Sequence, residues 1–452
     1  MADHVPVGPI SGFPEWLPQM RILEQRLIDT IREQYELFGF APIETAAVER
    51  MEVLLSKGGI PRQIYTLGRA AEDADSTEAE SESEASAQLG LHFDLTVPLA
   101  RYVAQHGEEL VFPFRRYQIQ KVWRGERAQR GRFREFYQCD ADIVGSGSLD
   151  LMHDAEMAGL IDTVFTALGI GDFVVRVSNR GILQALCAAG GLSPDQTAAA
   201  LRIVDKFGGA GQPEAAARAL EEAEVPGKLV TSIAELLAER TLDGAAGILT
   251  RAGAPDKSVE DLAVVIDGAG KLGMPSGRLV PDFSIARGLD YYTGTVYETF
   301  VRGRERWGSV CSGGRYDDLA TYFTRRVHPG VGVSIGLSRL LDLMVAAGMD
   351  ASGASTPARV LVTMLDRDRY LPRYLCIAHT LRQAHISTEV YLQPDALRDQ
   401  LAYAAAKGFA YAVIAGQREF DAGVVSLRDL ATREQRQVPV SEVTSAVSSG
   451  QS

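Results

Sequence analysis

FRRYQIQKVWRGERAQRGRFR, residues 114–134, sets eight basic side chains beside one carboxylate, Glu126, in a chain whose formal charge is −13. A cluster this dense costs self-repulsion, so it calls for a polyanion, either a phosphate ligand within the fold or a nucleic-acid backbone on its surface. A solvated basic face is the plainer alternative. Against it stand the aromatic residues threaded through and just beyond the stretch: Tyr117, Trp123, Phe133, Phe136 and Tyr137. The alternation Arg132, Phe133, Arg134, Glu135, Phe136 suits strand and loop edges, where successive side chains point to opposite faces and planar cations line one surface.

At 452 residues the chain exceeds one ordinary core, so two or three domains are expected, with 46% apolar residues to fill them. No apolar run reaches the roughly 18 residues of a membrane span. The start, MADHVPVGPISGF, has neither the cationic nor the apolar region of a secretory signal, and a globular cytoplasmic protein is expected. Cys139, Cys187, Cys311 and Cys376 show no CxxC spacing and the seven histidines no HExxH spacing, so neither a disulfide framework nor a structural metal is expected. Ala70 to Ser86, AAEDADSTEAESESEAS, has no apolar periodicity and cannot offset its ordering entropy, which predicts a disordered loop over about 70–88. Its seven carboxylates make up more than half of the net charge, so the acidic balance does not exclude a nucleic-acid partner.

Before that loop, Met20, Leu23, Leu27, Ile31 and Tyr35 recur at helical spacing, predicting one apolar stripe on a helix that stops at Gly39. Phe40 to Val48 then reads as extended. From Asp172 to Leu272 the composition turns to Ala-rich amphipathic segments separated by glycines, which predicts a helical insertion. Strand character returns over Leu279 to Phe300 and Gly308 to Tyr316, and Gly332 to Ala347 reads as strand then helix. After a Gly/Ser/Ala linker at 350–357, strands at 359–365, 387–392 and 410–415 alternate with helices at 370–383 and 395–407, predicting a small α/β domain of the parallel kind.

Five strings occur in order: VWRGER (122–127), GRFREFYQ (131–138), ARGLDYYTGTVYE (286–298), SGGRYDD (312–318) and GVSIGLSR (332–339). Together they resemble the histidyl-tRNA synthetases, which are class II aminoacyl-tRNA synthetases, and the resemblance spans nearly the whole chain. It implies an α+β catalytic domain in two parts, 1–171 and 273–349, built on the class II antiparallel sheet flanked by helices. A helical insertion at 172–272 and an anticodon-binding-like α/β domain at 357–445 complete the expected architecture. The implied reaction is ATP-dependent formation of histidyl-adenylate and transfer of the histidyl group to the 3′-terminal adenosine of tRNA(His), with ATP taken together with Mg2+. A homodimer is also implied, with the helix around Met20 to Tyr35 near its interface.

Activation requires the amino-acid carboxylate to attack the α-phosphate of ATP, so cations must be fixed there in advance. By the resemblance, Arg124 holds the α-phosphate, Arg132 and Arg134 reach the β- and γ-phosphates, and Phe136 stacks under the base. Arginine suits these tasks through its planar fork and permanent charge. Glu126 either orients the adenine amino group or neighbouring arginines, or pairs internally with Arg124 or Arg127. Arg287 corresponds to a family-specific arginine beside the α-phosphate that does work other class members assign to a metal ion. Arg339 packs on the adenine, and Gly332 and Gly336 permit close backbone approach.

For the amino acid, Asp94 and Thr96 in HFDLTVP match the binders of the amino group, with Gln138 as a further polar contact; Asp94 and Thr96 could instead cap a helix opened by Pro98. Asp142 accepts from the imidazole, while Tyr292 and Tyr316 close the pocket. A buried acceptor left unpaired by a wrong substrate discriminates by about 10⁴ or more. In the C-terminal domain, RNA contacts would fall to Arg367, Arg369, Arg373, Arg382, Arg398 or Arg418, because Lys407 is the one lysine after Ala354. Two positions depart from the family pattern, Ala46 in place of proline and Ser338 before Arg339. The competing readings are a paralogue that regulates ATP phosphoribosyltransferase and an enzyme that adenylates histidine without passing it to tRNA.

Overall fold

The computed structural model describes residues 7–56, 63–68, 88–127, 131–207, 212–285, 292–349 and 353–449. The acidic stretch at 70–86 and Arg287 lie outside the described residues. Two compact units emerge, one comprising Met1–Pro14 and Leu27–Ala346, the other Glu15–Arg26 and Ala347–Ser452.

Among the described residues of the first unit, eleven strands form two sheets. The larger holds β1 (Ala41–Pro42), β5 (Phe114–Trp123), β6 (Glu135–Val144), β7 (Phe173–Asn179), β8 (Leu279–Pro281), β9 (Thr295–Val301), β10 (Cys311–Tyr316) and β11 (Gly330–Gly336), in the order β1-β5-β6-β11-β10-β9-β7-β8. Neighbours from β5 through β7 run antiparallel, while β1 and β8 add a short parallel strand at each edge. The smaller sheet, in the order β2-β4-β3, comprises β2 (Val48–Arg50), β3 (Thr66–Leu67) and β4 (Leu89–Leu91). Of the extended run expected at 40–48, Ala41–Pro42 and Val48 enter strands.

Strand period two divides the large sheet into unlike faces. On β6, Cys139, Ala141 and Ile143 are fully buried, and β11 turns Val331, Val333 and Ile335 the same way. Helices Met152–Ala167 and Leu337–Ala346 pack on these strands. Tyr35, near the end of the helix Pro18–Leu37, is fully buried and donates its hydroxyl to the Cys139 carbonyl at 2.8 Å. That helix carries the expected stripe, with Leu27, Ile31 and Tyr35 all buried. The apolar face is further tied by Arg315 of β10, whose guanidinium grips the fully buried Asp154 of Met152–Ala167 at 2.6–3.2 Å.

The helical stretch expected from Asp172 begins at Arg180, because Phe173–Asn179, rich in β-branched residues, is a strand paired along its length with β9. Asn179 ends that strand and caps the next helix, accepting from the Gly181 amide at 2.9 Å. Six helices follow between Arg180 and Lys271 among the described residues.

The second unit carries a five-stranded sheet of β12 (Val360–Val362), β13 (Thr388–Val390), β14 (Tyr411–Ile414), β15 (Val424–Asp429) and β16 (Gln435–Pro439), in the order β13-β12-β14-β15-β16. The expectation of a parallel sheet is corrected here. β13, β12 and β14 are parallel, but β14, β15 and β16 are antiparallel. β15 and β16 are joined by a short turn in which Arg433 adopts φ +64°, and a connection this short can join only antiparallel neighbours. Helix Arg367–Gln383 buries Tyr374, Ile377 and Leu381 against Val362, Val413 and Val425.

Candidate active site

The opposite face of the large sheet, which folding alone would fill with aliphatic residues, is polar. Rows across the strands set Arg116, Asp142, Gly332 and Gly314 side by side, then Gln118, Asp140, Ser334 and Ser312, then Gln120, Gln138 and Gly336. Burying such groups unpaired costs about 1–3 kcal/mol each, so a sequence keeps them there for chemistry. Above this face lies a cavity of about 430 Å3.

Eleven of the twelve described candidate residues line it: Asp94, Thr96, Arg124, Glu126, Arg132, Phe136, Gln138, Asp142, Tyr292, Tyr316 and Arg339. They arrive from β6, β10, the helices Thr96–His106 and Leu337–Ala346, and the loops between. Arg134 is placed elsewhere: its side chain lies along Gly12, and its Nε donates to the Glu126 carbonyl at 3.0 Å.

At one end, Arg124 is held by its Nε on the Phe93 carbonyl at 2.9 Å, with its guanidinium 5.1 Å from the centre of the Phe136 ring. Arg339, in the first turn of Leu337–Ala346, donates Nη1 to the Ser309 carbonyl at 2.7 Å and Nε to the Gly131 carbonyl at 3.3 Å. Both cations are aimed by backbone acceptors, a preorganised arrangement for an anion. Glu126 pairs with Arg132 at 3.1 Å, so the internal partner weighed from sequence is neither Arg124 nor Arg127. Ser338, buried, accepts from the Tyr137 amide at 3.3 Å.

The linear count of eight cations against one carboxylate changes once the chain folds. Arg115 makes a bidentate pair with Glu156 at 2.7 and 2.8 Å, Arg116 meets Asp142 at 2.7 Å, and Lys121 meets Glu135 at 2.6 Å. Three of the eight cations are thus paired inside the protein, and the other five lie on the segment that joins β5 to β6.

At the other end the cavity is acidic. Asp142 is held by the fully buried Arg116 on Oδ2 and by the Tyr316 hydroxyl, which donates to Oδ1 at 2.8 Å. Gly332 leaves the space that the Asp142 carboxylate occupies, and Gly330 the space under the Tyr316 ring; a Cβ at either would overlap them. Asp94 accepts from the Val97 amide at 3.2 Å at the start of Thr96–His106 while its Oδ2 has no partner among the described residues, so the cap leaves one oxygen over for a ligand. Gln138 donates to Ser334 at 2.6 Å and leaves its Oε1 unpartnered. Burial raises the carboxyl pKa of Asp142, opposed by Arg116, and pushes Asp94 up to about 6 and Asp140 to about 7. This end is therefore built for a cationic, N–H-rich ligand. Two lining carboxylates were not among the sequence candidates: Asp140, whose place between Gln138 and Asp142 at strand period was the available signal, and Asp205 of the helical insertion, for which there was none.

An antiparallel sheet with arginines at one end of its polar face and an acidic pocket at the other, alongside a separate mixed α/β unit, defines a class II aminoacyl-tRNA synthetase. Residues 12–340 match the family model described as histidyl-tRNA synthetase, and residues 359–449 match the anticodon binding domain. The histidine–tRNA ligase of Xanthomonas axonopodis pv. citri is 42% identical, covering 96% of this chain and 94% of that protein. That of Stenotrophomonas maltophilia is also 42% identical, covering 94% of each. The crystal structure of histidyl-tRNA synthetase from Nostoc sp. PCC 7120 shares 37% identity with a TM-score of 0.88, covering 99% of this chain and all of that one. The chain belongs to the histidyl-tRNA synthetase family, and its activity is the ligation of histidine to tRNA.

Proposed function

We propose that the acidic end of the cavity binds histidine and the arginine end binds ATP, taken as its magnesium complex, with the polar face of the sheet as the common floor. Arg124 and Arg339 lie where the triphosphate would extend, with Arg132 reaching its outer phosphates and Phe136 under the adenine. Asp94, Thr96 and Gln138 take the substrate ammonium, and Asp142, Tyr292 and Tyr316 enclose the imidazole. A histidine carboxylate oxygen attacks the α-phosphorus, the bond to the bridging oxygen breaks, and pyrophosphate leaves with that electron pair. A ribose hydroxyl of the terminal adenosine then attacks the carbonyl carbon of the adenylate, loses its proton, and AMP departs. Fixed guanidinium groups act by meeting charge that grows on the phosphate oxygens.

The observation that carries this reading is the convergence of eleven expected residues, drawn from across the sequence, on one cavity. Arg287 keeps its proposed place beside the α-phosphate on the strength of the ARGLDYYTGTVYE string. tRNA(His) as the partner of the C-terminal unit, a homodimer and a cytoplasmic location belong to the same proposal; no helix among the described residues is long and apolar enough to cross a membrane.

The purified protein is expected to exchange labelled pyrophosphate into ATP when histidine is present and not with another amino acid; exchange driven by a different amino acid refutes the pocket assignment. Arg124→Ala and Arg287→Ala should each lower the exchange rate by about 10²–10³ while histidine still binds. Near-normal exchange in either variant removes that residue from the chemistry.

A further inference from the structure

Arg134, the last residue before β6, does not line the cavity, yet it holds the segment that carries Arg124, Glu126 and Arg132. Its carbonyl accepts the Arg124 amide at 2.8 Å, so the two limbs of that segment are tied at their base. Its Nε donates to the Glu126 carbonyl at 3.0 Å, and its own amide donates to the Gly12 carbonyl at 2.7 Å. The N-terminal stretch crosses at this point: the same Gly12 carbonyl takes the Glu135 amide at 3.1 Å, and the Ser11 carbonyl receives Arg134 Nη1 at 3.4 Å. Phe13 anchors the crossing, its ring meeting Tyr65 edge-on at 5.9 Å. Glycine is required at position 12, where φ is +84° and a Cβ would stand 2.8 Å from the Arg134 Cγ, inside contact distance.

We propose that Arg134 is a positioning residue for the ATP site: seated on Gly12, it fixes the segment between β5 and β6 so that Arg124, Glu126 and Arg132 meet the triphosphate in one geometry, and it does not itself touch the nucleotide. This rests on the reading of the arginine end as the ATP site. The sequence places Arg134 among the phosphate-binding cations, but in the fold its guanidinium is given to two backbone carbonyls, those of Glu126 and Ser11. The segment lies outside the regular strands, so holding it in one conformation costs backbone entropy that local contacts must offset. A guanidinium stabilises growing phosphate charge best when its place is fixed beforehand. Arg134 reaches Arg124 directly, through the amide it holds, and reaches Arg132 through Glu126, which pairs with Arg132 at 3.1 Å. Displacing such groups by about 1 Å costs on the order of 10²-fold in rate.

The test measures histidine-dependent pyrophosphate exchange in the full-length protein for Arg134→Ala, Gly12→Ala and the double variant. The wild type checks the underlying reading separately; if it is silent, both that reading and this proposal fall. With an active wild type, each single variant should raise the KM for ATP and lower kcat, together cutting kcat/KM for ATP about 10- to 100-fold, while the KM for histidine stays within about twofold. Gly12→Ala is the sharper variant, because it removes no charge and position 12 is not part of the cavity wall. The double variant should be no worse than the more defective single one, since both break the same contact. Arg134→Lys keeps the charge but lacks the planar fork that reaches two carbonyls, so it should resemble Arg134→Ala. Should Gly12→Ala fail to fold, Phe13→Ala loosens the same crossing from the Tyr65 side and should raise the KM for ATP in the same way. A folded Gly12→Ala, or Phe13→Ala in its place, with a KM for ATP within about twofold of wild type overturns the proposal. So does a double variant whose losses multiply, or an Arg134→Lys variant within about twofold of wild type; either result assigns Arg134 to the phosphates themselves.

Discussion

Gly332 and Asp142 show how much of this site is decided by single atoms. The Asp142 carboxylate occupies the volume where any other residue at 332 would place its Cβ, so Gly332→Ala must push Asp142 off Arg116 and Tyr316. Overpacking of this kind costs about 1–3 kcal/mol of stability, and the KM for histidine should rise about tenfold or more with little change in that for ATP; parallel exchange kinetics and thermal melts check both. Asp94 gives a pH-dependent counterpart. Its pKa is about 6 in the folded protein, above the usual carboxylate value, because burial outweighs the Val97 amide, Arg124 and Arg116. A group raised in this way favours the folded state when protonated, so its contribution is full below about pH 4 and is lost as pH climbs through about 6. Asp94→Asn should accordingly raise the melting temperature of the ligand-free protein at pH 8 and do so less at pH 5. An equal shift at both pH values would contradict the assignment.

Elements carry these residues only because each strand shows two unlike faces. β10 sends Tyr316 to the cavity and Arg315 to the helix Met152–Ala167, where it meets a fully buried Asp154. Breaking such a pair from one side leaves an uncompensated buried charge, so Asp154→Ala should destabilise the protein by about 3–5 kcal/mol, measured by denaturant unfolding. The stripe of Leu27, Ile31 and Tyr35 and the β-rich segments after Leu279 were legible because amphipathic period is a local signal. Phe173–Asn179 was absorbed into the neighbouring helical insertion, since a seven-residue strand declares its sheet only through its partner β9. The hairpin β15–β16 was missed for a similar reason: Arg433 supplies the left-handed turn position where glycine or asparagine usually signals one.

Across the whole molecule, residues 12–340 and 359–449 divide the work between the cavity and the anticodon-binding-like unit. Within the latter, Arg369 and Arg373 stand over the buried rings of Tyr370 and Phe420 at 5.1–5.8 Å. Arg382 is turned inward, donating to the Thr388 carbonyl at 2.8 and 3.0 Å. The double variant Arg369→Ala, Arg373→Ala should raise the KM for tRNA several-fold in aminoacylation while leaving histidine-dependent exchange unchanged; a loss of exchange would place its effect on folding instead. By itself the sequence determined the family, the α+β class and eleven of the residues that line the cavity, because short strings of arginine, glycine and acid residues at fixed spacing are demanded by the chemistry and survive as local text. Which cations face the ligand was decided only by the tertiary structure. Charge compensation acts through space, and Glu156, Asp142 and Glu135 reach Arg115, Arg116 and Lys121 only after the strands pair and the helices close over them.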